Sequence, residues 1–333
     1  MDQALLGPRR RPTSAGRRKA RLLAIPLLLT LLLSACGVGR GSAIAIGPND
    51  TVKVGVIPAI AFAPVFVAIE QGYFEEAGIS IETQVMQNAA AIAPSVLNGQ
   101  LQFGTAAASP FIAARAKGLP LVATAGMSEN SPESNDGAIV VRDGALTRPK
   151  DLEGRTVAIN GVAALPHIAL LESIRNDGGD PSTVTFVVMG FPEMAGALKQ
   201  GRIDAAAITE PFTSAVTSDG GRILTRAYVD AFVDKATIGL IFTAEPFIET
   251  NPELVRAFSD AIKRAADDAR SDPALVARVM TKHGGLPPQA FERMVLPPFT
   301  GELNIEGISQ MSEVMTELDF VKKPLNGAEV VLP

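Results

Sequence analysis

The sequence is poor in the residues on which several kinds of binding site depend. Its 333 residues include one Cys, two His, two Tyr and no Trp. A single cysteine can form neither a disulfide framework nor a cysteine metal site within the chain. The scarcity of Trp and Tyr argues against stacking platforms for nucleic acids or sugars. These absences leave a fold that is held together by its apolar core.

Recognised catalytic motifs are absent as well. His167 and His283 lie far apart in the sequence, and neither an HExxH pair nor a metal-ligand spacing occurs. The sequence also lacks a phosphate loop, a GxGxxG turn and a Gly-x-Ser-x-Gly nucleophile turn. We therefore expect a protein that is not an enzyme, with no catalytic residue, no cofactor and no metal site.

Charge is divided unevenly along the chain. Residues 1–35 carry six Arg and one Lys against Asp2, a net charge of +6, whereas the whole chain carries −5. The remainder therefore carries −11. Nucleic acid and anionic membrane surfaces repel a body this acidic, so we expect neither as a partner.

The N-terminal segment has the order of a secretory signal. A basic cluster at 17–21 precedes an apolar run at 22–33, which is too short to span a bilayer as a helix. The run ends in Leu33-Ser34-Ala35-Cys36, which resembles the bacterial lipobox. The resemblance implies a lipoprotein signal peptide over 1–35 and a lipid on the Cys36 thiol. A plain signal peptide with an incidental cysteine is the alternative.

Beyond this segment the sequence alternates predicted strands with predicted helices. Apolar residues at 52–57 predict a buried strand, and a helix is predicted from Pro64 to a left-handed cap at Gly72. Similar strand-to-helix units follow, and long helices are predicted over 252–270 and 273–282. Such alternation is typical of α/β folds, whose loops present backbone amides to ligands.

Three further local predictions concern the middle of the chain. Ser109 before Pro110 has the pattern of a helix N-cap followed by proline at the first helical position. A polar loop is predicted over 128–136, and a strand over 138–142 that leaves the first lobe. The stretches 97–104 and 199–206 share glycine spacing, and each leads through small residues to a Pro-Phe pair, which indicates two similar lobes.

An ordered set of short stretches resembles the substrate-binding proteins of ABC importers for nitrate, sulfonates, taurine and thiamine-precursor pyrimidines. The stretches that carry the resemblance are 64–79, 97–105, 113–118, 151–158, His167, 201–206 and 210–212. The resemblance implies an α/β fold of the type II periplasmic binding protein class, with two Rossmann-like lobes. Their sheets are expected to be mixed but mostly parallel, and a two-crossover hinge is expected to join them.

The resemblance also implies a domain plan and a location. Lobe one is expected at 50–140 plus 239–333 and lobe two at 141–238, after a flexible tether over 36–49. We expect an extracytoplasmic protein, held at the bacterial membrane through lipid on Cys36. The expected partners are a small-molecule ligand and an ABC permease and ATPase complex, and the protein itself is expected to be a monomer.

The ligand is expected to contact the loops that follow the strands. The candidate ligand-binding residues are Ala61, Phe62, Thr105, Ser109, Asn130, Asn160, Gly161, His167, Thr209 and Glu210. Because these loops contain no Arg or Lys, an anion would be held by hydroxyls and by the amides of helix starts.

Four of these residues have alternative roles. Ser109 is either a ligand donor or only a helix cap, and Phe62 is either a cavity wall or part of the core. His167 either donates to the ligand or is a structural histidine. Glu210 either holds an amino group of the ligand or caps the segment beyond Pro211.

The function expected from these features is the capture of a sulfonate, taurine or nitrate-like solute for an ABC importer. A binder of a thiamine-precursor pyrimidine or similar heterocycle is the alternative within the same class. A fold-related enzyme and a surface ligand sensor are alternatives from other classes.

Overall fold

The computed structural model describes residues 45–47, 50–86, 91–134 and 136–332. All of them belong to one unit, Gly41–Pro333. The predicted signal peptide, the predicted lipidation site Cys36 and most of the predicted tether lie outside the described residues.

The first part of the chain alternates strands and helices as the sequence indicates. In order, its elements are β1 Thr51–Val56, α1 Ala63–Glu70, α2 Tyr73–Glu76, β2 Ser80–Val85, α3 Ile92–Leu97, β3 Phe103–Ala107, α4 Ala108–Ala116 and β4 Leu121–Glu129. A 3₁₀ helix, Ile60–Phe62, lies between β1 and α1. Gly72 has a φ of 75°, so the predicted left-handed cap is confirmed.

The second part repeats the alternation and then becomes helical. Its elements are β5 Ala138–Val141, β6 Thr156–Ile159, α5 Leu165–Asn176, β7 Thr185–Val188, α6 Phe191–Lys199, β8 Ala205–Ile208, α7 Phe212–Ser218, β9 Arg222–Arg226, α8 Ala227–Ala231, β10 Thr237–Ala244, α9 Glu245–Thr250, α10 Pro252–Ser271, α11 Pro273–Lys282 and α12 Ile305–Glu317. The predicted helices over 252–270 and 273–282 are confirmed within one residue.

The strands form two five-stranded sheets with the same internal arrangement. The first sheet has the order β2-β1-β3-β10-β4 and the second β7-β6-β8-β5-β9. In each sheet three strands run parallel, and the fourth strand, β10 or β5, is antiparallel to both of its neighbours. The expected α/β class with mixed, mostly parallel sheets is confirmed. The chain passes to the second sheet between β4 and β5 and returns between β9 and β10.

Some local predictions are wrong in instructive ways. Ser109 is not an N-cap, because α4 begins at Ala108 and Ala107 occupies the cap position without a side-chain cap. The predicted polar loop at 128–136 begins too early, since Ser128 still pairs with Gly239 of β10. The strand β9 was missed, because Arg222–Arg226 has charged ends and lies half-buried at a sheet edge.

The two sheets differ in how they are packed. The first sheet is backed by stacked aromatic rings, and Phe103 of β3 lies 3.8 Å from Phe258 of α10 between ring centroids. One face of the second sheet forms a separate small core of Ala, Val, Leu, Ile and Met side chains around Met194 and Ala206. In the described part of the chain, no helix combines the length and apolarity needed to cross a bilayer.

Candidate ligand-binding cavity

A cavity of about 200 Å³ lies where loops of the two sheets meet. Its wall is mostly apolar, and none of its lining residues is Arg or Lys. The lining residues are Ile57, Ala59, Ile60, Ala61, Phe62, Ala107, Pro110, Asp136, Asn160, Ala164, Leu165, Pro166, Phe191, Thr209, Glu210, Tyr228 and Ile238. Five of the ten predicted binding residues are among them: Ala61, Phe62, Asn160, Thr209 and Glu210.

The wall on the side of the first sheet is a short loop after β1. Residues 57–62 turn sharply because the amide of Ala59 donates to the carbonyl of Ile57 at 2.8 Å. The Oγ1 atom of Thr105 accepts from the amide of Ile57 at 3.1 Å and thereby ties the loop to β3. Thr105 is completely buried and does not line the cavity, so the structure gives it a supporting position behind the wall.

Three helices begin at the cavity, and none of them has a side-chain cap. The N-cap residues of α4 and α5 are Ala107 and Ala164, both of which line the cavity, and α6 begins at the lining residue Phe191. The first amides of a helix have no partner within the helix, and they carry the positive end of its dipole. The arrangement therefore offers neutral hydrogen-bond donors to an anionic group.

Glu210 combines a place in the wall with a structural contact. Its carboxylate accepts hydrogen bonds from the amide and the hydroxyl of Ser214, at 3.0 and 2.8 Å, and so caps α7. The Ser214 hydroxyl also lies 3.0 Å from the carbonyl oxygen of Arg293. Burial raises the pKa of Glu210, and the hydrogen bonds from Ser214 counteract part of that rise. The predicted capping role is confirmed, while ligand contact stays a prediction.

Asp136 and Tyr228 also line the cavity, and neither was among the candidates from sequence. The Asp136 carboxylate accepts from the amide of Glu210 at 3.3 Å. Burial, with the nearby Glu210 adding to it, raises the pKa of Asp136 to about 7. The sequence feature that could have identified Asp136 is its position as an acidic residue in a polar loop directly before an apolar strand. Tyr228 packs against Gly137, where an added Cβ atom would lie 2.3 Å from the ring.

Two predicted binding residues lie behind the cavity wall. The side-chain amide of Asn130 donates to the carbonyls of Tyr228 at 3.0 Å and Val233 at 3.2 Å, and so joins the two segments that connect the sheets. The Oγ atom of Ser109 is buried without a hydrogen-bond partner among the described residues. Neither side chain is among the lining residues, so their ligand contact stays a prediction.

His167 lies in an aromatic environment and is not among the residues that line the cavity. Its ring contacts Phe186 and Phe320 edge-on, with centroids 4.7 and 5.6 Å away. Its Nδ1 atom accepts from the amide of Ala163 at 3.2 Å, which assigns the ring proton to Nε2. Burial lowers the pKa of His167 to about 4, so the ring is neutral at pH 7. Gly161 follows the lining residue Asn160 without lining the cavity itself.

Comparisons with known proteins agree with this architecture. The riboflavin-binding protein RibY of Chloroflexus aurantiacus is 28% identical over 277 residues, which cover 77% of this chain and 76% of that protein. The taurine-binding periplasmic protein of Escherichia coli is 26% identical over 211 residues, covering 63% and 64%. An enzyme is similar too: the 4-amino-5-hydroxymethyl-2-methylpyrimidine phosphate synthase THI13 of Saccharomyces cerevisiae is 26% identical over 222 residues, covering 63% and 64%.

Solved structures share the fold over most of the chain. The periplasmic aliphatic sulphonate binding protein SsuA of Escherichia coli superimposes with a TM-score of 0.72 at 20% identity, covering 85% of this chain and 92% of that one. The expected type II periplasmic binding protein fold is thereby confirmed. Residues 59–275 match the family described as NMT1/THI5 like. The chain belongs to the NMT1/THI5-like family.

Proposed function

We propose that this protein is an extracytoplasmic solute-binding protein that captures a small organic molecule for an ABC importer. One observation carries the proposal: the cavity is walled by loops from both sheets, at the starts of three uncapped helices. A ligand enclosed between two sheets is sensitive to a hinge motion between them, which is how such proteins couple binding to closure. The periplasmic relatives support the same function and location.

The first candidate ligands are sulfonates and similar small organic anions, including taurine. Free helix-start amides suit an anionic group, and the cavity supplies no Arg or Lys that would favour a highly charged one. The similarity to a taurine-binding protein supports this class.

A flat heterocycle is the second candidate. Phe62, Phe191 and Tyr228 line the same cavity, so a ring has aromatic surfaces to pack against. The similarity to a riboflavin-binding protein and to a pyrimidine phosphate synthase supports this alternative.

The test is a ligand screen followed by calorimetry and product analysis. Sulfonates, carboxylates, pyrimidines and flavins are screened by thermal shift, and each hit is titrated and then recovered for mass spectrometry. Capture without chemistry predicts one-to-one binding and complete recovery of the unaltered compound. A converted product would contradict the proposal in favour of an enzyme, and an absence of saturable binding across the screen would also contradict it.

The transport role requires a partner as well as a ligand. We expect the loaded protein to stimulate the ATPase activity of an ABC permease and ATPase complex reconstituted in vesicles, and the unloaded protein to stimulate it less. If the loaded protein stimulates no such complex, the result would favour the alternative that the protein is a surface ligand sensor. Size-exclusion chromatography with light scattering tests the expected monomer.

We further propose that lipid on Cys36 anchors the protein to the extracytoplasmic face of a bacterial membrane. A thiol followed by glycine after an apolar run supports the lipid attachment. Intact mass spectrometry of membrane-extracted protein is expected to find a diacylated N-terminal cysteine with residues 1–35 removed. The Cys36→Ser variant is expected in the soluble fraction, and an unmodified thiol in the wild type would contradict the proposal.

A further inference from the structure

We propose that Asp136 forms a subsite that selects ligands bearing an ammonium or amino group. This inference rests on the proposed function and narrows its ligand class. It concerns the side of the cavity where the two sheet-connecting segments meet, at Asp136 and Tyr228.

The Asp136 carboxylate is buried beside the cavity without a cation. The residue is 8% exposed and lines the cavity, and its carboxylate accepts hydrogen bonds from the backbone of Glu210 and Gly137. Among the described residues, no Lys, Arg or His forms an ion pair with it. Burying an ionised carboxylate without a cationic partner costs free energy, and a ligand that donates a charged hydrogen bond to the carboxylate offsets that cost.

The neighbouring carboxylate is already engaged. Glu210 accepts two hydrogen bonds from Ser214 and one from the backbone of Val295, whereas the donors to Asp136 among the described residues are the backbone groups of Glu210 and Gly137. A ligand nitrogen placed at this wall would therefore find its free acceptor on Asp136. Glu210 adds negative potential, which attracts the same nitrogen and repels an anionic group.

The remaining walls complement such a ligand. The uncapped starts of α4 and α5, at Ala107 and Ala164, present the positive ends of their helix dipoles to the cavity. A molecule with an anionic end and an amino end can place each end against the group it requires. An amino-substituted ring can instead pack against Phe62 and Tyr228 while its amino group meets Asp136.

Two pairs of compounds test the subsite by calorimetry on the full-length mature protein. Taurine and isethionate differ only in an ammonium against a hydroxyl group, and cytosine and uracil differ in the amino group and the protonation of their rings. We expect the amino member of at least one pair to bind at least tenfold more tightly than its partner. We expect Asp136→Asn to reduce that ratio to less than threefold.

The control is Asp260→Asn, the same substitution at an exposed position on α10, which is expected to leave the ratio unchanged. Circular dichroism checks that both variants fold, and Asp136→Glu provides a second variant that keeps the carboxylate and is expected to retain a preference for the amino member. Equal binding within both pairs, or an unchanged ratio in Asp136→Asn, overturns the subsite while leaving solute capture intact. If no member of either pair binds, the subsite is contradicted, and the wider screen decides separately about capture.

Discussion

The two walls of the cavity are built in different ways from the same kind of sheet. On the side of the first sheet, residues 57–62 provide backbone and apolar groups. The opposite side carries Asn160, Thr209 and Glu210, and Asp136 lies at the connection between the sheets. The first wall therefore limits the shape of a ligand, and the second wall supplies the polar groups that it can contact. We expect ligand selectivity to depend mainly on the second wall.

The two sheets also differ in the size of the side chains that pack on them. Large buried rings support the first sheet, among them Phe103, Phe258 and Phe247. The small core of the second sheet contains Ala138, Ala158, Ala197 and Ala206 in addition to larger aliphatic side chains. Substitutions can test separately the large rings that pack on the first sheet and the small core of the second.

The largest effect is expected from removing a ring that packs in the core of the first sheet. Phe103→Ala deletes a completely buried side chain that stacks on Phe258, and it is expected to lower the free energy of unfolding by about 3–5 kcal/mol. Urea unfolding followed by circular dichroism measures the change. Phe186→Ala removes a half-buried ring from β7 of the second sheet, and a smaller loss is expected because less of that side chain is buried. Equal losses would contradict the difference in burial between the two rings.

Asp136→Asn is expected to change how stability depends on pH. The pKa of Asp136 is raised from 3.8 to about 7, so the folded protein binds one more proton than the unfolded chain between those values. Wild-type stability is therefore reduced by this group as pH rises from about 4 to 7, by about 4 kcal/mol, and no further above pH 7.

The titration of His167 changes the stability in the opposite direction over part of that pH range. Its pKa is lowered from 6.5 to about 4, so it adds stability as pH rises from about 4 to 6.5. Because the histidine is present in both proteins, the variant minus wild-type difference isolates Asp136. That difference is expected to increase from pH 4 to 7. A flat difference for Asp136→Asn would contradict its buried, unpaired position.

Ser214→Ala is expected to have an intermediate effect on the second wall. The substitution removes the hydroxyl that donates to Glu210 at 2.8 Å and is expected to cost about 1–3 kcal/mol in unfolding free energy. The loss should grow as pH rises through the raised pKa of Glu210, because an ionised carboxylate depends more on its donors. Ser218→Ala, at an exposed position of the same helix, serves as the control. A loss that does not change with pH would contradict the role of Ser214 toward Glu210.

The smallest effect is expected from loosening the loop of the first wall. Thr105→Val keeps the shape of the side chain but removes the acceptor for the Ile57 amide, at a cost of about 1 kcal/mol. Thr105→Ser retains the hydroxyl and is expected to preserve the hydrogen bond. Hydrogen exchange at Ile57 should become faster in the valine variant only. Unchanged exchange in that variant would show that Thr105 does not hold the loop.

Much of the fold follows from local sequence patterns. Apolar alternation and glycine caps located β1, α1, α10 and α11 because propensity, periodicity and burial agree there. β9 escaped prediction, since an edge strand with charged ends lacks a clean period. The prediction that Ser109 is an N-cap was wrong because a Ser-Pro pair is also compatible with the interior of the first turn of a helix.

The cavity was only partly predictable for a physical reason. Loops after strands are recognisable in sequence, which is why Asn160, Thr209 and Glu210 were found. Asp136 and Tyr228 lie on segments that connect the sheets, about ninety residues apart in sequence, and only the tertiary fold brings them to one wall. Asn130 and Thr105 have the right chemistry for ligand contact, but backbone groups of neighbouring segments occupy their side chains.

The most direct test asks whether one ligand is held by both walls. Hydrogen exchange is measured by mass spectrometry with and without taurine, or with and without the tightest-binding compound of the screen. We predict slower exchange on binding in two separate places, residues 57–62 of the first wall and residues 210–214 of the second. Peptides from the exposed face of α10 serve as the internal reference. Protection of one wall alone, or protection confined to a surface away from the cavity, would contradict capture between the two sheets.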